Sequence, residues 1–62
     1  MPVVQITMAE GRTPEQKRAV AEKVTDVLVR ELNTPADSIT IFIYELGKDH
    51  IAKAGVLLSD KV

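Results

Sequence analysis

Two segments rich in β-branched residues flank a single helix-forming segment, and this order constrains the fold more than any other feature of the sequence. Residues 3–8 alternate so that Val4, Ile6 and Met8 share one face of a predicted strand. Residues 39–45 carry apolar groups on both faces, which is typical of a strand that is covered on two sides. A strand, a connecting helix and a second strand predict an α/β fold with a right-handed βαβ unit and a parallel pair.

The segment between the strands opens with a helix-start signal. Thr13 can cap the helix, Pro14 stands at the first helical position and Gln16 completes a capping box. The apolar residues that follow at helical spacing form one apolar stripe. They are Val20, Val24, Val27, Leu28 and Leu32. Val29 lies outside this stripe and is expected to be exposed, with a contact to another subunit as the alternative.

The last part of the chain is short and mixed in character. Gly47 and Gly55 act as breaks, so we expect a small C-terminal β-hairpin and a loose end after Leu58. No linker, repeat or low-complexity tract interrupts the sequence. Residues 1–62 are therefore predicted to form one domain.

A chain of 62 residues without cysteine is poorly equipped to be stable alone. A domain of this length buries only roughly 60% of its unfolded surface and usually needs a disulfide, a metal, idealised packing or a partner. Disulfides are impossible here, and one histidine makes a poor set of metal ligands. A lone βαβ unit also leaves one sheet face and both edges uncovered. We therefore expect subunits to join their sheets in at least a dimer.

The charge pattern excludes several classes of partner. Eight basic and nine acidic residues give a net charge of −1, so the chain has no excess of positive charge with which to bind nucleic acid. The longest uncharged run, residues 1–9, is too short to span a bilayer and lacks the basic start of a signal peptide. The sequence thus predicts a cytoplasmic protein that binds neither nucleic acid nor membrane.

Pro2 offers the most distinctive chemistry in the sequence. Removal of the initiator methionine before a small residue would leave Pro2 with a free secondary amine. An α-amino group titrates near about pH 8, and apolar burial or a nearby cation favours its neutral form, which can act as a general base. Taken alone, a plain second-position proline remains the simpler interpretation.

Pro2 belongs, however, to a larger pattern that resembles the 4-oxalocrotonate tautomerase (2-hydroxymuconate tautomerase) family. The pattern comprises Met1-Pro2, a short strand, Glu10-Gly11-Arg12-Thr13, Glu15-Gln16-Lys17, Val24-Thr25, Pro35, the second strand, Lys48-Asp49-His50 and Ala54-Gly55. It covers nearly the whole chain at the family's characteristic length. Pro2 together with Glu-Gly-Arg at that spacing is specific, whereas each half alone would be weak.

The resemblance implies a βαβ subunit, a dimer with a four-stranded sheet and usually a trimer of dimers, so that a homohexamer is favoured over a dimer. It also implies a cofactor-free isomerase of aromatic compound catabolism, whose amino-terminal proline moves protons in the enol–keto tautomerisation of 2-hydroxymuconate-like dienoates. A small carboxylate would be the substrate. The alternative is a non-catalytic oligomeric module that binds small anions, which an attached Met1 would favour because the proline nitrogen would then be an amide.

Carried over residue by residue, the resemblance gives Pro2 as the catalytic base and Arg12 as the arginine that binds a substrate carboxylate. A guanidinium suits that role because it presents two parallel N–H donors, although a solvated loop cation is the alternative for Arg12. Two positions depart from the family pattern. Thr40 replaces a second arginine that polarises the 2-keto oxygen, and Ile51 replaces an aromatic residue of the pocket wall. Both changes are expected to weaken isomerisation of 2-hydroxymuconate itself.

Lys53 lies in the hairpin that, by the same resemblance, closes the active site. It could stabilise a developing enolate or lower the pKa of the Pro2 amine, with a surface lysine as the alternative. The trans-3-chloroacrylic acid dehalogenases carry a water-activating carboxylate at the matching position, so Lys53 disfavours hydration and dehalogenation. His50 has no neighbouring set of metal ligands and is expected to be an ordinary loop histidine.

Overall fold

The fold is a βαβ unit followed by a small hairpin, as seen in a computed structural model that describes residues 1–61. The elements are β1 (Val3–Ala9), α1 (Pro14–Leu32), β2 (Thr40–Leu46), β3 (Ala52–Lys53) and β4 (Val56–Leu57). Strands β1 and β2 pair in parallel, and β3 and β4 pair antiparallel. The predicted α/β class, element order and hairpin are confirmed.

The element boundaries differ slightly from the sequence prediction. Strand β1 continues to Ala9, and β2 begins at Thr40 because Ile39 closes a 3-10 turn at Ala36–Ser38. The expectation of a loose end directly after Leu58 is wrong. Residues Leu58–Asp60 form a 3-10 turn, and the Leu58 amide donates to the carbonyl oxygen of Ile51 over 2.8 Å. That bond ties the end of the hairpin back to its beginning.

Helix α1 begins as its capping signal predicts. The Gln16 amide donates to Thr13 Oγ1 over 3.1 Å, and the Thr13 amide donates to Gln16 Oε1 over 2.9 Å. The helix stops at Asn33, whose left-handed backbone (φ 52°) ends the hydrogen-bond ladder. The expected exposure of Val29 is wrong, because Val29 is half-buried whereas Val27 of the predicted stripe is 47% exposed.

Helix α1 covers one face of the β1–β2 sheet. Lys17 Nζ reaches Glu45 Oε1 over 2.6 Å, which places the helix over the face that Glu45 shares with Ile41 and Ile43. The opposite face is open. Phe42 and Tyr44 stack on it with ring centroids 6.3 Å apart, and each is nearly half exposed. Aromatic groups that stay this open in one chain indicate a surface that needs a partner.

The dimensions of the chain lead to the same conclusion. Its radius of gyration is 15.0 Å, whereas a compact domain of this length has about 11 Å. Its accessible surface is 4959 Å², whereas a folded monomer of 6.8 kDa exposes about 4,000 Å². No residue of the described chain is fully buried. A single subunit therefore has no closed core of its own.

Candidate functional site

Pro2 lies at the beginning of the parallel sheet. Its carbonyl oxygen accepts a hydrogen bond of 3.1 Å from the Thr40 amide, so the residue is fixed against the first residue of β2. Pro2 is half-buried, whereas Met1 is 95% exposed. Loss of Met1 would therefore remove almost no packing and would convert the Pro2 nitrogen from an amide into an amine.

A pocket of the subunit lies at the other end of the sheet. It has a volume of about 510 Å³ and is open on one side. Its walls are Thr7, Met8, Ala9, Leu46, His50, Ile51, Ala52 and Leu58. Most of these side chains are apolar, so the pocket suits the hydrocarbon part of a small molecule. Ile51 is thus a wall residue of the pocket.

Arg12 and Lys53 lie close to this pocket in the chain without lining it. Arg12 is exposed and follows Gly11, whose φ of +125° bends the chain away from β1 two residues after Ala9. Lys53 is exposed and adjoins the wall residue Ala52. Neither cation forms an ion pair with any carboxylate in residues 1–61. Both side chains therefore remain available to an anionic ligand or a second subunit.

Pro2 is separated from these residues by the whole of β1. The strand runs from Val3 to Ala9, which corresponds to about 20 Å at about 3.3 Å per residue. The fold thus brings Arg12, Ile51 and Lys53 to one end of the sheet and leaves Pro2 at the other. A site that uses Pro2 together with Arg12 must draw them from two chains.

His50 is a pocket residue that sequence reasoning missed. It lines the pocket, and its Nδ1 lies 3.1 Å from Asp49 Oδ1. The sequence shows that Asp49 directly precedes His50, but an adjacent acidic residue does not show which way a histidine ring points. The 3-10 turn Lys48–His50 sets that direction.

Residues 1–61 carry neither a metal cluster nor a membrane-spanning helix. No three acidic or histidine side chains gather where they could hold a metal ion. No helix in this range combines the length and the apolar character that a membrane crossing requires.

Comparisons with known proteins identify the family and the fold. The family model described as "Tautomerase enzyme" matches residues 2–61. The 2-hydroxymuconate tautomerase of Bacillus subtilis (strain 168) is 48% identical over 60 residues, which cover 97% of each chain. The crystal structure of a 4-oxalocrotonate tautomerase homologue superposes with a TM-score of 0.96 at 39% identity, covering 100% of this chain and 98% of that one.

A third relative shows how such chains can assemble. A heterohexameric 4-oxalocrotonate tautomerase from Chloroflexus aurantiacus J-10-fl has a TM-score of 0.88 at 27% identity, with 97% of each chain covered. The family match over residues 2–61, together with the identity to a 2-hydroxymuconate tautomerase, establishes the family. The chain belongs to the 4-oxalocrotonate tautomerase family of isomerases.

Proposed function

We propose that this chain is a cofactor-independent tautomerase that converts the enol form of 2-hydroxymuconate-like dienoates to the keto form. Pro2, freed from Met1, takes the proton of the 2-hydroxyl group and returns a proton to a carbon of the dienol. One amine thus serves as general base and then as general acid. The observation that carries the proposal is the position of Pro2, half-buried and fixed by the Thr40 amide at the edge of an otherwise open subunit.

A fixed amine is useful because proton transfer requires the nitrogen to lie within hydrogen-bond distance of the reacting atoms. The proline ring removes rotation about φ, and the 3.1 Å bond from Thr40 holds the carbonyl side of the same residue. An amine in such a place needs little rearrangement before each transfer. The protein thus supplies orientation, and the amine supplies the chemistry.

The remaining site residues are assigned by charge and position. Arg12 binds a substrate carboxylate from a second subunit, since it lies beyond the far end of β1. Ile51 forms an apolar wall. Lys53 stabilises the negative charge that develops on the enolate oxygen, a role that Thr40 cannot fill because its side chain is uncharged.

The same proposal covers assembly and setting. We propose one domain over residues 1–62 and a cytoplasmic homohexamer that acts in the catabolism of aromatic compounds. The exposed Phe42–Tyr44 face and the long radius of gyration support an assembly larger than one chain. The heterohexameric relative supports six subunits over two.

The test compares two preparations that differ only at the N-terminus. Protein with Met1 removed, verified by intact mass, is assayed for ketonisation of 2-hydroxymuconate beside a variant in which an extra residue blocks removal. Circular dichroism and sedimentation verify that both have the same fold and size. We expect activity only in the processed protein. Equal rates would remove Pro2 from the mechanism, and no activity in either, with anion binding intact, would favour the non-catalytic anion-binding module.

A further inference from the structure

His50 is the one titratable group among the eight residues that line the pocket of the described chain. The other walls are apolar apart from the Thr7 hydroxyl. A pocket with one hydrogen-bonding imidazole at an otherwise apolar surface is suited to a ligand with one anionic end and a hydrocarbon body. Arg12 and Lys53 lie outside the lining, so neither takes this place within the same subunit.

The ring of His50 is oriented by Asp49. His50 Nδ1 lies 3.1 Å from Asp49 Oδ1, which leaves Nε2 as the nitrogen that can meet a ligand. A protonated imidazole has two N–H donors, so it can bind the Asp49 carboxylate and a ligand carboxylate together. Both side chains are 69% exposed, and a pair so exposed adds little to stability. The pair therefore does little for the fold itself.

Gly47 provides the space in which this pair forms. A Cβ atom added to Gly47 would lie 2.7 Å from Asp49 Oδ1 and 3.7 Å from His50 Nδ1. The Asp49 carboxylate folds back over the glycine, and any side chain there would push it away. The chain thus leaves room for Asp49 beside the ring of His50.

We propose that His50, oriented by Asp49, binds one carboxylate of a dicarboxylate substrate, while Arg12 holds the other. The inference rests on the proposed function for the substrate class, and it makes His50 a specificity-determining residue. Thr40 brings no charge to the site, so a dicarboxylate needs another cationic partner. His50 is the candidate that already faces the pocket.

The experiment uses the fact that the chain has a single histidine. Its ring resonances are therefore unambiguous in the NMR spectrum of the intact oligomer. The probes are muconate, an unreactive six-carbon diene with two carboxylates, and sorbate, the matching diene with one. We expect muconate to shift the His50 resonances at saturation and sorbate to shift them much less.

Affinity for muconate gives the second readout. A charged hydrogen bond corresponds to about tenfold to a hundredfold in Kd. His50→Ala should weaken muconate binding by that factor. His50→Gln should recover part of the loss because it keeps an N–H donor. Gly47→Ala should weaken binding because its methyl group displaces the Asp49 carboxylate. Lys48→Ala is the matched control: it removes a cation from the same turn but not from the pocket lining, and should have little effect.

The outcomes separate this inference from the proposed function. Unmoved His50 resonances, or equal muconate affinity in His50→Ala and Lys48→Ala, would overturn the role of His50 even if ketonisation proceeds. A shift and the expected loss of affinity would support it, also in Met1-extended protein that has no turnover. The absence of turnover in the Met1-extended protein would then be due to the blocked Pro2 nitrogen and would not bear on the role of His50.

Discussion

The backbone amide of Thr40 donates a hydrogen bond to the carbonyl oxygen of Pro2 over 3.1 Å. Thr40, where the sequence resemblance implies a second arginine, is therefore the direct backbone neighbour of the proposed base. Val3 and Thr40 are also register partners, so their side chains lie on the same face of the sheet. Position 40 thus lies beside Pro2 in the sheet, but threonine brings no charge to it.

Thr40→Arg is expected to raise kcat/KM for dicarboxylate dienols. A new charged hydrogen bond to the developing oxyanion would contribute about 1.5–3 kcal/mol, or about tenfold to a hundredfold in rate. Steady-state kinetics on processed protein measures the change. Ala19→Arg adds the same charge on the exposed surface of α1 and serves as the control. An unchanged rate in Thr40→Arg would mean that position 40 does not face the reacting atoms or that Lys53 already fills the role.

Arg12→Ala is expected to lower kcat/KM for dicarboxylates by about tenfold to a hundredfold, because it removes a two-pronged contact with a carboxylate. The loss should be much smaller on a substrate that lacks the bound carboxylate. Arg18→Ala, which removes an exposed arginine from α1, is the control and should be nearly neutral. An equal loss on both kinds of substrate would make Arg12 a structural residue.

The secondary structure was predictable because its signals are local. The capping box at Thr13 and Gln16 and the alternation in residues 3–8 depend only on neighbours in sequence, and both appear as expected. The exposure of Val27 and the half-burial of Val29 were not predictable. Val27 belongs to the apolar stripe and Val29 lies beside it, and which of the two is covered depends on the parts of the fold that the helix faces.

The candidate site was only partly predictable for a similar reason. Pro2 and Arg12 were assigned through the family resemblance, which does not show that the whole of β1, about 20 Å of strand, lies between them in one chain. The place of His50 in the pocket depends on a 3-10 turn and on the room above Gly47. These are three-dimensional relationships between segments that sequence patterns do not encode locally.

Ala54→Gly is expected to stabilise the hairpin. Ala54 and Gly55 connect β3 to β4 with φ values of 53° and 81°, as a two-residue turn with left-handed residues requires. A non-glycine residue in that region costs about 1–2 kcal/mol, part of which glycine recovers. Thermal unfolding at fixed protein concentration should show a higher Tm. Gly55→Ala should lower it, and a lower Tm for Ala54→Gly would contradict the strain assigned to this turn.

Assembly is expected to depend on the open sheet face. Because that face carries the exposed Phe42 and Tyr44, Phe42→Glu would place a charge where a partner should pack, and it should dissociate or unfold the protein. Arg18→Glu on the exposed side of α1 is the control.

Sedimentation of the unmodified chain at micromolar concentration should show no folded species of 6.8 kDa. A folded monomer of that mass would contradict the argument from burial.

The separation of Pro2 and Arg12 along β1 is the relationship on which the proposed site depends. If the two act together, they come from different subunits, and two inactive variants should complement each other. One variant keeps Arg12 but carries an N-terminal extension that blocks Pro2. The other has a free Pro2 and the Arg12→Ala substitution. Each alone should be weakly active or inactive.

The most direct measurement is the activity of oligomers refolded from an equal mixture of these two variants. Half of the subunits then supply a free Pro2 and half supply Arg12, so random assortment should restore about one quarter of the unmodified sites if the pair is shared between chains. Mixed oligomers are verified by native mass spectrometry. Activity near that fraction is the predicted result. Activity no greater than the mean of the two separate variants would show that Pro2 and Arg12 do not form a shared site.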